Sequence, residues 1–391
     1  VKYFSTIIVK PTIKNKLNYS LIYALLLGAL FYSAGPAHSS IPLVKLNGGI
    51  ELTGKPVAVA ASKTHFVTVG EEIQITDFST QESIVIPKFA PEQIFTDVLA
   101  LEDRFIAVGV LESSVATSTN LEGVFINPES ITVSSQERKS YGLTRLKIVE
   151  FDSLGNILRE FIYESDAPVF PKSIQTFPTG IFLTGEVANL GGFQGFIAKV
   201  DLDANSILLK RFGSSSTSIN KMANAKVAYG VSRESLGQSK LQGKSDGVIF
   251  FLNDSLELAR TIRSFAAASL RDWSSVSASH LAVGTVEKSG KSEVAITKFN
   301  GNGAPQWTNR IPGGSLPVVD GARVGFITKS KISSIPGFVP KRSTAVFLTF
   351  NKKGVIRAVS TAPALALRDL NDGYALIQLQ RGPFQLIRLA P

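Results

Sequence analysis

The chain has 391 residues, room for two average domains or one large all-β domain. With 44% hydrophobic and only 18% charged residues it is too apolar to be disordered, and with no cysteine it has neither disulfides nor thiolate metal sites. Of its 41 basic residues, four lysines fall in the first 39 positions. The remainder has 37 basic against 31 acidic residues, spread without the clustering that nucleic acid requires.

The N-terminal segment carries Lys2, Lys10, Lys14 and Lys16 and no acid. Leu21–Ala34 follows as an uncharged apolar run, closed by Gly35-Pro36 and the small residues around Ala37-His38-Ser39. This order is that of a secretory signal, with Ser40 as the expected mature N-terminus. As a helix the run reaches about 21 Å, short of a ~30 Å hydrocarbon core, so cleavage is favoured over anchoring. Residues 1–39 are thus expected to be a signal peptide and 40–391 one domain, secreted or held at the cell surface, membrane-anchored if the signal is kept. Val1 in place of methionine fits a GTG start, and with it a bacterial or archaeal source, and equally a chain trimmed at its N-terminus.

The remainder is a series of short β-type runs cut by Gly, Asn, Asp and Ser. One unit, strand–turn–strand, recurs at 146–161, 195–212, 247–262, 294–310 and 345–359. Its first strand ends at Asp152, Asp201, Asn253, Asn300 and Asn351, at intervals of 49, 52, 47 and 51 residues. An apolar run often ending in glycine precedes each unit (Phe66–Gly70, Phe105–Gly109, Ile181–Gly185, Val227–Gly230, Leu281–Gly284). A further short strand comes before that, as at Asp97–Leu101, Ser173–Phe177 and Trp273–Val276. Four strands in each period of about 50 residues is the content of one propeller blade. The units run 55–90, 94–163, 172–213, 218–264, 270–311 and 316–361. Leu365–Leu389 then has room for three strands. If Ile41–Leu52 supplies the fourth by pairing with the C-terminal strand, the ring closes with seven blades, and six or eight are the alternatives.

These units resemble the propeller repeat of bacterial exported proteins. Residues 195–213 (GFIAKVDLDANSILLKRFG) match it best and 294–310, with Trp307, next. The resemblance implies an extracytoplasmic propeller and assigns no catalytic residue. A single blade tryptophan does not make the repeated motif of quinone-dependent propeller dehydrogenases.

No nucleophile elbow, zinc-protease motif or phosphate loop occurs, so the catalytic residues are unknown and no cofactor or metal site is expected. Asp201-Leu202-Asp203-Ala204-Asn205 opens like a calcium loop. It lacks the glycine and glutamate such a loop needs, so a hairpin turn closed by Asx side chains explains it better. His65 and His280 occupy matching places in two units and read as structural. Asp97, Asp272 and Asp369 fall near the start of the expected innermost strands. They either ring the mouth of the axial channel, where a carboxylate pair could act on a glycosidic bond, or cap turns. The loops between second and third strands vary most: Glu112–Ser140, Ser232–Asp246 and Lys329–Arg342. The last holds Lys329, Lys331, Lys341 and Arg342 with no acid, and Ile335 and Phe338 look exposed between two prolines. Variable loops on one face of a rigid disc suit binding. The expected partner is a surface glycan, an anionic envelope polymer or a protein, with no nucleic acid and no stable membrane insertion after signal cleavage. A propeller lyase or glycosidase acting on extracellular polysaccharide, and a structural envelope component, are the alternatives.

Overall fold

The computed structural model describes residues 43–113, 117–119, 138–140, 142–380 and 382–389. The expected signal segment and most of the Glu112–Ser140 insertion lie outside them. The described residues form strands and no helix. Seven antiparallel sheets follow one another along the chain, at 58–86, 93–164, 169–212, 217–264, 270–312, 314–363 and 366–388, with a separate two-stranded ribbon, Thr117–Thr119 and Arg138–Ser140, inserted within the second. Each is built outward strand by strand. The innermost strands touch in sequence, and that of the seventh sheet touches Ala58–Ala61 of the first. The architecture is a seven-bladed β-propeller.

The outer strand of the seventh blade comes from the N-terminal side. Ile50–Leu52 pairs antiparallel with Phe384–Leu386. Leu43–Lys45 instead lies parallel to Val359–Thr361, a fifth strand on the sixth blade.

The burial of each strand explains its sequence. Second and third strands are covered on both faces and read as unbroken apolar runs, such as Phe105–Leu111 and Phe196–Ala198. Fourth strands face solvent and alternate, as in Ile157–Glu164. The buried side chains divide into seven clusters, each shared by two neighbouring blades. The cluster between the last blade and the first joins Leu52, Phe384 and Leu386 to Val59 and Phe66. The core is therefore a ring of inter-blade layers, and no blade buries its faces alone.

The repeated glycine has a steric cause. It sits in the second strand where the innermost strand bulges toward it: Gly109 opposite Phe95, Gly185 opposite Pro171, Gly230 opposite Ile219. A Cβ on Gly109 would lie 2.5 Å from the Ile94 carbonyl oxygen and 2.7 Å from the Phe95 Cα. The repeated Asp or Asn is a turn device. Asp152, Asp201, Asn253, Asn300 and Asn351 each accept two backbone N–H bonds from the turn that follows. Asp201 is thus engaged with its own hairpin, as the Asx-turn reading has it.

Candidate functional site

Two places gather polar side chains. The first is the axis. Asp97 accepts N–H bonds from Val98 (2.9 Å) and, across the blade junction, from Ile174 (2.8 Å). Asp369 does the same with Leu370 (2.8 Å) and Val59 (2.9 Å). Both stand beside a bulge well inside their strands, Gln93–Leu101 and Ala366–Asn371, and not near the strand start. Every other junction has its own latch. Gln175 bonds both backbone groups of Met222, Asn220 donates to the Trp273 carbonyl, Ser274 donates to that of Pro317, and Asp320 accepts from the Gly373 N–H. Phe95 N–H donates to the Gly70 carbonyl, and Gln93 to that of Glu71, between the first two blades. The axial carboxylates belong to this circle of latches.

Asp97 and Asp369 stand on the innermost strands of the second and seventh blades; the charge of Asp369 raises Asp97, and that of Lys221, on the innermost strand of the fourth, lowers both. Burial, then Asp369, pushes the Asp97 carboxyl up to about 7; burial also raises Asp369. A carboxyl raised above its unfolded value binds its proton more tightly in the native state. It stabilises the fold fully below the unfolded value, and that stabilisation is lost as pH rises through the folded one. The melting temperature is therefore expected to fall between about pH 4 and about pH 7, and Asp97→Asn to flatten that fall. A flat profile in the unaltered protein would contradict a carboxyl raised by burial at this place. Asp77 and Glu234 act oppositely. Turn hydrogen bonds hold Asp77 at about 2, and Glu234, caged by the 214–217 backbone and hydroxyls against the opposing cost of burial, also lies at about 2. Their stabilisation is present above the unfolded values and is lost as pH falls toward 2.

The second place is a cleft of about 870 Å³ where the third, fourth and fifth blades meet. It opens on the face that carries the loops between second and third strands. Its origin is local. The innermost strand of the fifth blade is broken into Leu270–Arg271 and Ser275–Val276. In the gap Asp272 turns to Thr285, accepting from its N–H (2.5 Å) and its Oγ1 (3.1 Å). Burial raises the Asp272 carboxyl. Trp273 goes fully into the core, edge-on to Phe299. Asp272 therefore lines this cleft, away from Asp97 and Asp369, and the three do not form one ring.

Across the cleft, Lys172 donates to Glu186 (2.5 Å), Ser218 (2.7 Å) and Asn220 (3.2 Å). Phe193 stands on the rim with 40% of its surface exposed. The fourth-blade loop, Ser232–Asp246, forms another wall through Arg233 and Ser245. A buried pair holds this loop: Asp246 accepts from Gln242 and Gly243 N–H and from Arg263, whose guanidinium also bonds the Glu234 and Ser239 carbonyls.

On the sixth blade, Lys329, Lys331, Lys341 and Arg342 are exposed. Arg342 lines two adjoining cavities of about 620 and 690 Å³ beside residues 43–48. Ile335 and Phe338 correct the sequence expectation. With Ile332 they turn inward and are 2% and 4% exposed, packed on the fifth- and sixth-blade core. Successive turn bonds, Ile335 N–H to Ile332 and Phe338 N–H to Ile335, bring these three to one side of the loop.

Sequence reasoning missed Lys172, Phe193, Arg233 and Arg271. The one signal is the Arg271-Asp272-Trp273 run, two charges directly ahead of a tryptophan where the other units have an innermost strand.

No family model and no curated protein matches the chain. Solved structures do. A chain of a mitotic checkpoint complex has 8% identity and a TM-score of 0.49, covering 99% of this chain and 100% of that one. A Lactobacillus plantarum protein has 10% identity and a TM-score of 0.47 (87% and 90%). The β-propeller domain of the Trilobed protease from Pyrococcus furiosus has 12% identity and a TM-score of 0.44 (84% and 93%). At such identities the likeness carries no argument about activity.

Proposed function

We propose that this chain is an exported, non-enzymatic propeller that binds a surface or envelope glycan on its loop face. The cleft of about 870 Å³ carries the proposal. It is within the size range of ligand sites, and it is lined by hydroxyl, amide and charged side chains around one exposed aromatic ring. The charged, apolar, small-residue order of residues 1–39 and the repeat at 195–213 support export. The glycosidase and lyase alternative needs two free carboxylates in an open pocket. Asp97 and Asp369 are instead engaged with backbone N–H groups that join blades, and of the cleft carboxylates Glu186 is paired with Lys172 and Asp272 bonded to Thr285, which leaves Glu287 alone.

The test is a glycan array probed with the mature domain and with Glu287→Trp, which puts a large ring at the exposed rim of the cleft. Loss of the array signal with an unchanged melting temperature is expected. Undiminished binding by the variant would remove the cleft from the proposal. In parallel, changing Lys329, Lys331, Lys341 and Arg342 to Ser is expected to reduce retention on an anionic polymer at low salt alone, because exposed charges are screened over ~8 Å at physiological salt. Equal retention would show that these charges are incidental.

A further inference from the structure

Arg271 is out of place. Its side chain enters the wall of the cleft and the residue is only 8% exposed, yet its Nε has no hydrogen-bond partner and it forms no ion pair among the described residues. Buried guanidinium groups are costly without an acceptor. Of the other charged side chains lining the cleft, Arg233 and Glu287 are exposed and the rest are engaged. Lys172 is satisfied by Glu186, and the Asp272 oxygens are taken by Thr285. Burial pushes the guanidinium down to about 10, the charge of Arg310 adds to this, and the neighbouring Asp272 carboxylate opposes it without a direct bond.

The group is also fixed in place. The Arg271 backbone N–H donates to Ser245 Oγ (2.9 Å), and that hydroxyl donates back to the Arg271 carbonyl (3.1 Å). Its guanidinium carbon stands 4.6 Å from the centre of the Trp273 ring. The indole is itself wedged against Gly247, where a Cβ would come within 2.8 Å of it, and its Nε1 is left without a partner. A guanidinium stacked on an indole offers its in-plane N–H edge, the geometry that takes a carboxylate with two parallel bonds. Phe193 lines the same cleft with 40% of its surface exposed, an aromatic ring on which the C–H side of a sugar can pack.

Resting on the glycan reading above, we propose that the cleft recognises an acidic saccharide, with Arg271 binding a sugar carboxylate and Phe193 packing on a ring of the same chain. The carboxylate is met by the terminal nitrogens of the guanidinium, while Nε stays sealed inside the wall of the cleft.

The experiment is calorimetric titration of the mature domain with a hexauronate oligomer and with its carboxyl-reduced, neutral counterpart. Wild type is expected to bind the acidic form at least about tenfold more tightly, the discrimination of one charge-assisted contact. Arg271→Met keeps the stem over Trp273 and removes the charge. It should bind both forms with the affinity wild type has for the neutral one. Its melting temperature should equal or exceed that of wild type, since a buried charge without a partner has been removed. Arg271→Gln is the second variant, expected to behave alike.

Three results would overturn the proposal: equal binding of both oligomers by wild type, undiminished acidic binding by the variants, or a large drop in melting temperature in both, which marks Arg271 as structural. Neutral binding that ignores Arg271 but is abolished by Glu287→Trp would sink this inference and leave the glycan cleft standing. Binding of neither oligomer would count against both.

Discussion

Replacing Arg104 and Arg159 together with Leu is expected to destabilise the protein by about 3–5 kcal/mol, more than removing the carboxylate they share. Glu150 lies in the third strand of the second blade with its side chain wholly buried. Arg104 reaches one oxygen at 2.7 Å and Arg159 the other at 2.5 Å. The two arginines are 47% and 35% exposed, so water can hold them if the carboxylate goes. The reverse does not hold: without both arginines Glu150 is an ionised group inside protein with no counter-charge. Glu150→Gln should therefore cost only about 1–2 kcal/mol, the loss of charge-assisted hydrogen bonds. Adding Glu150→Met to the double arginine variant should restore most of the lost stability, because an apolar side chain of similar volume suits a site with no cation. The contact from Arg159 to Asp203 of the next blade contributes little, as Asp203 is almost fully exposed. Urea unfolding with a constant m-value would measure the series. A double variant less damaging than Glu150→Gln would show that solvent reaches Glu150.

The blades could be read from the chain because their signals are local. Asp152, Asp201, Asn253, Asn300 and Asn351 each close a turn with their own side chain, and the apolar runs before them are strands covered on both faces. The loop at 329–342 misled because four cations and two prolines suggest solvent, while the spacing of Ile332, Ile335 and Phe338 is what buries them. Asp97 and Asp369 are legible in the sequence as carboxylates of inner strands. Their role depends on Ile174 and Val59, which ring closure alone brings near. The cleft is further still from any local signal. It joins residues from 172 to 287, and an arginine without a partner is a fact about space that no run of residues displays.

Gly109→Ala is expected to cost about 3 kcal/mol, the upper part of the usual range for overpacking, and to lower the melting temperature by several degrees. The added methyl would meet the Ile94 carbonyl oxygen, the Phe95 Cα and Phe95 Cδ1 at 2.5, 2.7 and 2.8 Å. Two of these are backbone atoms of the innermost strand, and that strand cannot retreat. Its Phe95 side chain is fully buried in the layer shared with the first blade, and Asp97, just past the bulge, is bonded to the third. The same conflict stands at Gly185, against Phe170 and Pro171, and at Gly230, against Ser218 and Ile219, so alanine there should do comparable damage. Gly301 is the control. It lies in an exposed turn with nothing within 4 Å of an added Cβ, and alanine there should be neutral or slightly stabilising through the unfolded chain. If Gly109→Ala melted with Gly301→Ala, the bulge would be free to move, and the repeated glycine would need a cause other than the close approach of the innermost strand.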